Sequence, residues 1–182
     1  MIREKSPEIA HPFWGLIKDS RQHGYTSEIR LYQPFFGEEK IPVYLGNHDI
    51  YLTPNEQKLN PGKDYKPIEL TLSEDMLTEF AATYIDFIDH MDYHMKTLQQ
   101  TMFMFYREYL SEHNDQFGVI DTVEKHNEYI KDLYTFRMEA GKRISLSFTY
   151  SLFWAPVHFV EFVNGKLDNI HGEKIKDSWL PQ

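Results

Sequence analysis

Asp86, His90 and His94 recur at a spacing of four. On a helix that spacing stacks three side chains along one face. One carboxylate and two imidazoles form a ligand set for a divalent metal with a position left open for water, the arrangement of a metal-dependent hydrolase. No Glu stands between the histidines as in His-Glu-x-x-His, and a polar face opposite an apolar stripe is also what any solvated amphipathic helix shows. Other chemistry has less to build on. No Gly-x-Ser-x-Gly elbow, Walker loop or dinucleotide fingerprint occurs, and His11, His23, His113, His126, His158 and His171 sit apart. The absence of cysteine removes thiol catalysis, disulfides and Cys-based zinc sites together. The 28 carboxylates follow no spacing rule that would single out an acid/base pair.

Gly46-Asn47-His48-Asp49, following an apolar run, is similar to one block of the calcineurin-like metallophosphoesterases. The other blocks of that family are missing from the chain, and one His with one Asn cannot hold two metals, so a turn whose side chains bond their own backbone is the simpler reading. His48 is then at most an accessory to the Asp86, His90, His94 set. The aromatic residues Tyr32, Phe35, Phe36, Phe153, Trp154 and Phe159 are able to line a groove, but rings of this size are expected in the core.

These residues need elements to position them. Ile29 and Leu31 alternate with polar neighbours, as do Ile41, Val43 and Leu45, which predicts two strands joined by a hairpin at Gly37. Thr53 to Pro67 carries Pro54, Pro61, Gly62 and Pro67 and reads as loop. Thr71 or Ser73 starts a helix. The apolar stripe Leu77, Ala81, Tyr84, Ile88, Met91, Met95 then continues through Leu98, Met102 and Phe105 to Tyr109. One unbroken helix from Ser73 to His113 would run ~60 Å, too long for a domain of this size, so a break is expected between Asp89 and Asp92. The alternative is a protruding helix that dimerises through its Met-rich stripe.

Asp121 or Thr122 caps a third helix carrying Val123, Tyr129, Ile130 and Leu133 and ending at Gly141. Ile144 to Tyr150 and Val157 to Val163 read as strands, and Asn164-Gly165 as a hairpin turn leading to Leu167 and Ile170. The order of strands, helices, strands predicts a single α+β domain over residues 1–182, an antiparallel sheet of about five strands with helices packed on one face.

The charge bears on partners. Nineteen Lys and Arg against 28 Asp and Glu give −9, which disfavours nucleic acid because phosphate binding is built from cations. Leu152 to Val163 falls short of the ~20 apolar residues of a membrane helix, and Met1 to Ala10 lacks the apolar core of a signal peptide. A cytoplasmic location, with no membrane association, is expected.

Four blocks carry a resemblance: Ile41-Pro-Val-Tyr-Leu-Gly46, Phe105-Tyr-Arg-Glu-Tyr109, Trp154-Ala-Pro-Val-His158, and the turn at Asn164-Gly165. In these, and in size, acidity and element order over about residues 25 to 179, the chain resembles small bacterial proteins of uncharacterised function encoded beside polymorphic or contact-dependent toxins and regarded as immunity proteins. The resemblance implies a binding protein without chemistry or cofactor of its own, which covers the basic active site of a cognate toxin. Glu38, Glu39, Asp49, Asp86, Asp89 and Asp92 are the candidate contacts, since acidic surfaces steer basic partners. The enzyme alternative uses Asp86, His90 and His94.

Overall fold

In the computed structural model, which describes residues 8–19, 24–46, 72–154 and 157–181, the alternating runs are strands and the long apolar stripe is helix. Strands β1 (Ile9–His11), β2 (Gly15–Asp19), β3 (Tyr25–Tyr32) and β4 (Lys40–Leu45) come first. Helices α1 (Glu74–Asp89), α2 (Met91–Phe105) and α3 (Val123–Asn127) follow. Strands β5 (Ile130–Glu139), β6 (Arg143–Tyr150), β7 (Val157–Val163), β8 (Lys166–Ile170) and β9 (Glu173–Lys174) complete the order. The class is α+β. Among the described residues the sheet holds nine strands in sequential order rather than about five, and one neighbouring pair, β4 with β5, is parallel. Parallel neighbours need a long crossover, and the helices stand in it. Asn47, His48, Asp49, Thr71, His23 and the polar stretch 53–67 lie outside the described residues, as does the side chain of His158.

Two of the added strands come from the beginning of the chain. β1 and β2 form a hairpin in which His11 Nδ1 accepts from the backbone N–H groups of Phe13 and Trp14 at 3.1 and 3.2 Å. Trp14 is fully buried and its Nε1 donates to the Leu77 carbonyl of α1 at 3.0 Å, which fixes the hairpin to the helix.

A third addition is a correction. Tyr129, Ile130 and Leu133 do not continue the third helix, which stops at Asn127; Ile130 begins β5. The register of β5 on β6 shifts between Lys131 and Leu133 and again between Leu133 and Thr135, and Asp132 adopts a left-handed φ of 46°. Bulges insert residues that break the period of two, leaving apolar spacings of three and four that imitate a helix. Gly141, expected to end that helix, sits instead between β5 and β6.

Ser73 caps α1, its hydroxyl accepting from the Met76 N–H at 3.2 Å. The helical segment breaks at His90, within the expected interval, where the backbone turns to φ −111°, ψ 19°. Phe87 of α1 meets Phe136 of β5 and Phe162 of β7 edge-on, at 5.5 and 5.0 Å. α2 runs beside β8 and reaches the C-terminal turn, where Phe105 packs on Trp179, while the short α3 touches α2 through His126 and Phe103. The helices thus divide their contacts between the sheet, one another and the C-terminus. Met95, Leu98 and Met102 are buried inside the chain, so this part of the Met-rich stripe is core. Each such side chain contributes roughly 2 kcal/mol by leaving water.

Strand alternation gives the sheet two unlike sides. Phe136, Leu146 and Val160 are aligned and buried. Their neighbours form a polar row across five strands, Tyr44, Arg137, Ser145, Glu161 and Asn169. Arg137 is buried in that row, beneath Tyr44, and donates to the Gly46 carbonyl at 3.2 Å. No helix among the described residues is long and apolar enough to cross a membrane.

Candidate functional site

The break at His90 places Asp86 and Asp89 at the end of α1 and Asp92 at the start of α2, all three exposed. Two apolar side chains stand out among them, Ile85 at 47% and Tyr93 at 64% exposure. The break also decides the fate of the ligand triplet. His90 turns its ring back onto its own helix, Nδ1 donating to the Asp86 carbonyl at 2.8 Å and lying 3.5 Å from the Asp86 carboxylate. His94 turns inward. Its ring is only 3% exposed as a residue, stacks on Phe87 at 4.3 Å and 9°, and meets Phe162 edge-on at 5.4 Å. Burial, reinforced by His90 and opposed by Asp86, lowers its pKa, so it stays a neutral imidazole. The structure therefore brings Asp86 to His90 but not His94 to either as a co-ligand. Among the described residues, no three His, Asp or Glu side chains are grouped so as to hold a metal.

Glu38 and Glu39 are exposed in the β3–β4 connection, where they share a small hollow with Asp132 and Leu133. The Asp86 carboxylate lies by Gly165, since a Cβ built there would come 3.6 Å from its Oδ2. Gly165 follows Val163, which aligns through Arg143 with Glu139, the far end of β5 from Asp132. At about 3.3 Å per residue the two acidic groups are separated by roughly 20 Å along the strand. They make two surfaces, not one.

The aromatic group also divides. Phe36 is core, and Phe35 and Phe153 are partly covered, but Tyr32, Phe159 and above all Trp154, at 84% exposure, are outside. Phe153, Trp154 and Phe159 gather around His171, with Phe153 closest at 4.4 Å. Just after β6 the Phe153 N–H donates to the Tyr150 carbonyl at 3.2 Å, and Trp154 beyond it stands outside the core that the composition predicts for it.

A cleft of about 520 Å³ escaped the sequence reading. It opens beside the acidic break, between the first turns of α2, the β7–β8 hairpin and the C-terminal segment. His94, Thr97, Phe162 and Leu167 form its inner wall, and Tyr93 borders it. Lys166, Asp168, Lys174 and Asp177 stand around it, Lys174 paired to Asp168 at 2.5 Å. The signal available was the run His94, Thr97, Thr101, polar residues at helical spacing on a face that also carries Leu98 and Met102. All three are buried, and His94 Nε2, Thr97 Oγ1 and Thr101 Oγ1 have no hydrogen-bond partner among the described residues. Such groups cost about 1–3 kcal/mol each when left unpaired. No family model matches the chain, no curated protein matches it in sequence, and no solved structure matches its fold.

Proposed function

We infer that the chain is a binding protein that presents the surface around the His90 break to a basic protein partner, and that the partner is a cognate bacterial toxin whose active site it covers. The observation that carries this reading is the grouping of Asp86, Asp89 and Asp92, all exposed, with the exposed Ile85 and Tyr93. Interfaces concentrate their affinity in aromatic and other large side chains, while a surrounding ring of like charge raises the association rate and rejects wrong partners. A chain charge of −9 adds a long-range field of the same sign. Glu38 and Glu39, at the other end of the sheet, belong to that field and not to the contact.

The test is co-expression with the product of the adjacent reading frame. Growth inhibition by that product is relieved by the wild-type chain and restored when Asp86, Asp89 and Asp92 are all changed to Lys, with the melting temperature of the variant within a few degrees of wild type. Equal protection by wild type and the folded triple variant removes this surface from the function. No inhibition by the neighbouring product removes the toxin.

A further inference from the structure

His11 holds the turn of the first hairpin with a single atom. The turn is Pro12, Phe13 and Trp14, between the paired residues His11 and Gly15. Pro12 carries no N–H, so Phe13 and Trp14 supply the backbone donors of the turn, and both are directed at His11 Nδ1, at 3.1 and 3.2 Å. An Asn or Asp side chain holds a turn in the same way, with a side-chain oxygen where the ring nitrogen stands here. The arrangement needs a lone pair on Nδ1, hence a neutral ring with its proton on Nε2. Nε2 lies 3.4 Å from the Glu74 carboxylate at the start of α1, and the ring is only 8% exposed. A second carboxylate, Glu28 of β3, lies against Gly15, the pairing partner of His11. These surroundings pull in opposite directions. The amides of Phe13 and Trp14 favour the neutral imidazole, whereas the two carboxylates favour the imidazolium.

We propose that His11 is a pH-sensitive latch on the N-terminal hairpin: as a neutral imidazole it locks the turn that aims Trp14 at α1, and as an imidazolium it releases the Phe13 and Trp14 amides and turns to Glu74. A protonated Nδ1 is a donor and accepts nothing, so both bonds are lost in one step. What they hold in place is Trp14, whose indole N–H bonds the Leu77 carbonyl and whose ring meets Tyr84 of α1 at 5.6 Å. Among the described residues β2 pairs with β3 at two positions, Lys18 with Thr26 and Asp19 with Tyr25, and the Glu28 N–H bonds the Trp14 carbonyl at 3.0 Å. Loosening the turn therefore frees the hairpin while the rest of the sheet stays closed. Imidazole is the side chain suited to this, since its charge changes between about pH 5 and pH 8. The latch is independent of the protein-binding reading.

The experiment follows the isotope-labelled full chain by NMR from about pH 8 to about pH 5, reading the ring nitrogens of His11 and hydrogen exchange corrected for its intrinsic pH dependence. At the upper end the ring is expected to carry its proton on Nε2, with the Phe13 and Trp14 amides protected. As His11 titrates, their protection and that of the Trp14 indole N–H are expected to fall at least about tenfold further than that of the amides joining β6 to β7, the equivalent of about one lost hydrogen bond. His11→Asn offers an acceptor that does not titrate, so its turn stays protected at every pH, whereas that of His11→Ala is open at every pH. Glu74→Gln, which takes the partner from the imidazolium, moves the opening to lower pH. The proposal is overturned if the neutral ring carries its proton on Nδ1, if the Phe13 and Trp14 amides keep their protection while His11 titrates, if His11→Asn opens with falling pH as the wild type does, if His11→Ala stays protected, or if Glu74→Gln opens at the wild-type pH.

Discussion

His126 and Tyr150 lie 2.7 Å apart, imidazole Nε2 to phenol oxygen, with both side chains sealed in the core. Phe103 and Tyr106 complete the surroundings of the imidazole. Burial pushes its pKa from 6.5 down to about 4, because an imidazolium there would lose its hydration with no anion beside it. The folded chain therefore binds fewer protons than the unfolded chain between these two values, and stability falls as pH drops through that window. The full loss, reached near pH 4, is roughly 3 kcal/mol from this residue. Urea midpoints measured from pH 7 to pH 4 are expected to decline, and His126→Gln to be less stable at pH 7 but flatter below pH 6.5. A His126→Gln profile parallel to wild type would assign the decline to other groups.

Glu79 ties α1 to the β5–β6 hairpin: its Oε1 accepts from the N–H groups of Gly141 and Lys142, at 2.9 and 3.1 Å. Gly141 and Lys142 both have left-handed φ, a turn that presents its amides outward. Glu79→Ala leaves both donors to water and is expected to cost about 1 kcal/mol, whereas Glu79→Gln, which keeps an acceptor oxygen, costs less. Chemical denaturation of the two variants decides it.

The two histidines at the helix break separate by role. His94→Ala removes a ring that stacks on Phe87 and meets Phe162 edge-on, and is expected to destabilise the chain by about 2–3 kcal/mol. His90→Ala alters an exposed side chain and stays within about 0.5 kcal/mol of wild type. Since Asp86, His90 and His94 do not converge, equimolar zinc is expected to leave the melting temperature of wild type and of His90→Ala unchanged. A zinc-dependent rise lost in His90→Ala would restore the metal reading.

Trp179 anchors the C-terminal segment. It is buried against Phe105 and Tyr109, and its Nε1 donates to Glu108 Oε2 at 2.8 Å. Lys176 pairs with the other oxygen of Glu108 and lies over the Trp179 ring. Trp179→Ala is expected to cost about 3–5 kcal/mol, and Trp179→Phe a smaller part of that, since a ring still fills most of the space. Thermal melts followed by circular dichroism rank the two.

The parts of the fold legible in the sequence are those where one local rule acts alone. Ile41, Val43 and Leu45 alternate cleanly and are all buried in β4, and Asn164-Gly165 adopts the left-handed pair that a two-residue hairpin needs. Ser73 and Thr122 both cap as their chemistry implies, each accepting from the N–H three residues on. Where two rules compete, the sequence misleads. The bulges around Asp132 disguise β5 as helix, and the short strands β1 and β2 are held by Trp14 reaching α1, a contact no local pattern announces. The candidate site follows the same division. Exposure of Asp86, Asp89 and Asp92 was readable from helical spacing, but the break at His90 sends His94 inward while His90 stays out, and spacing carries no sign of that turn. The cleft needs α2, the β7–β8 hairpin and the C-terminus at once, so only the run His94, Thr97, Thr101 hinted at it.

The ladder between β4 and β5, the one parallel pairing among the described residues, has a kinetic meaning. Every other ladder joins strands linked by a short connection, so each can close quickly. The pairing of Val43 with Phe136, Tyr44 with Arg137 and Leu45 with Met138 instead closes a very long one, at an entropic cost of roughly 4 kcal/mol. This seam is expected to form after β5 to β9 have zipped into a meander, and to be the first ladder to part. In native-state hydrogen exchange the amide of Gly46, bonded to the Met138 carbonyl at 2.9 Å, should then open at lower free energy than the amides that join β6 to β7.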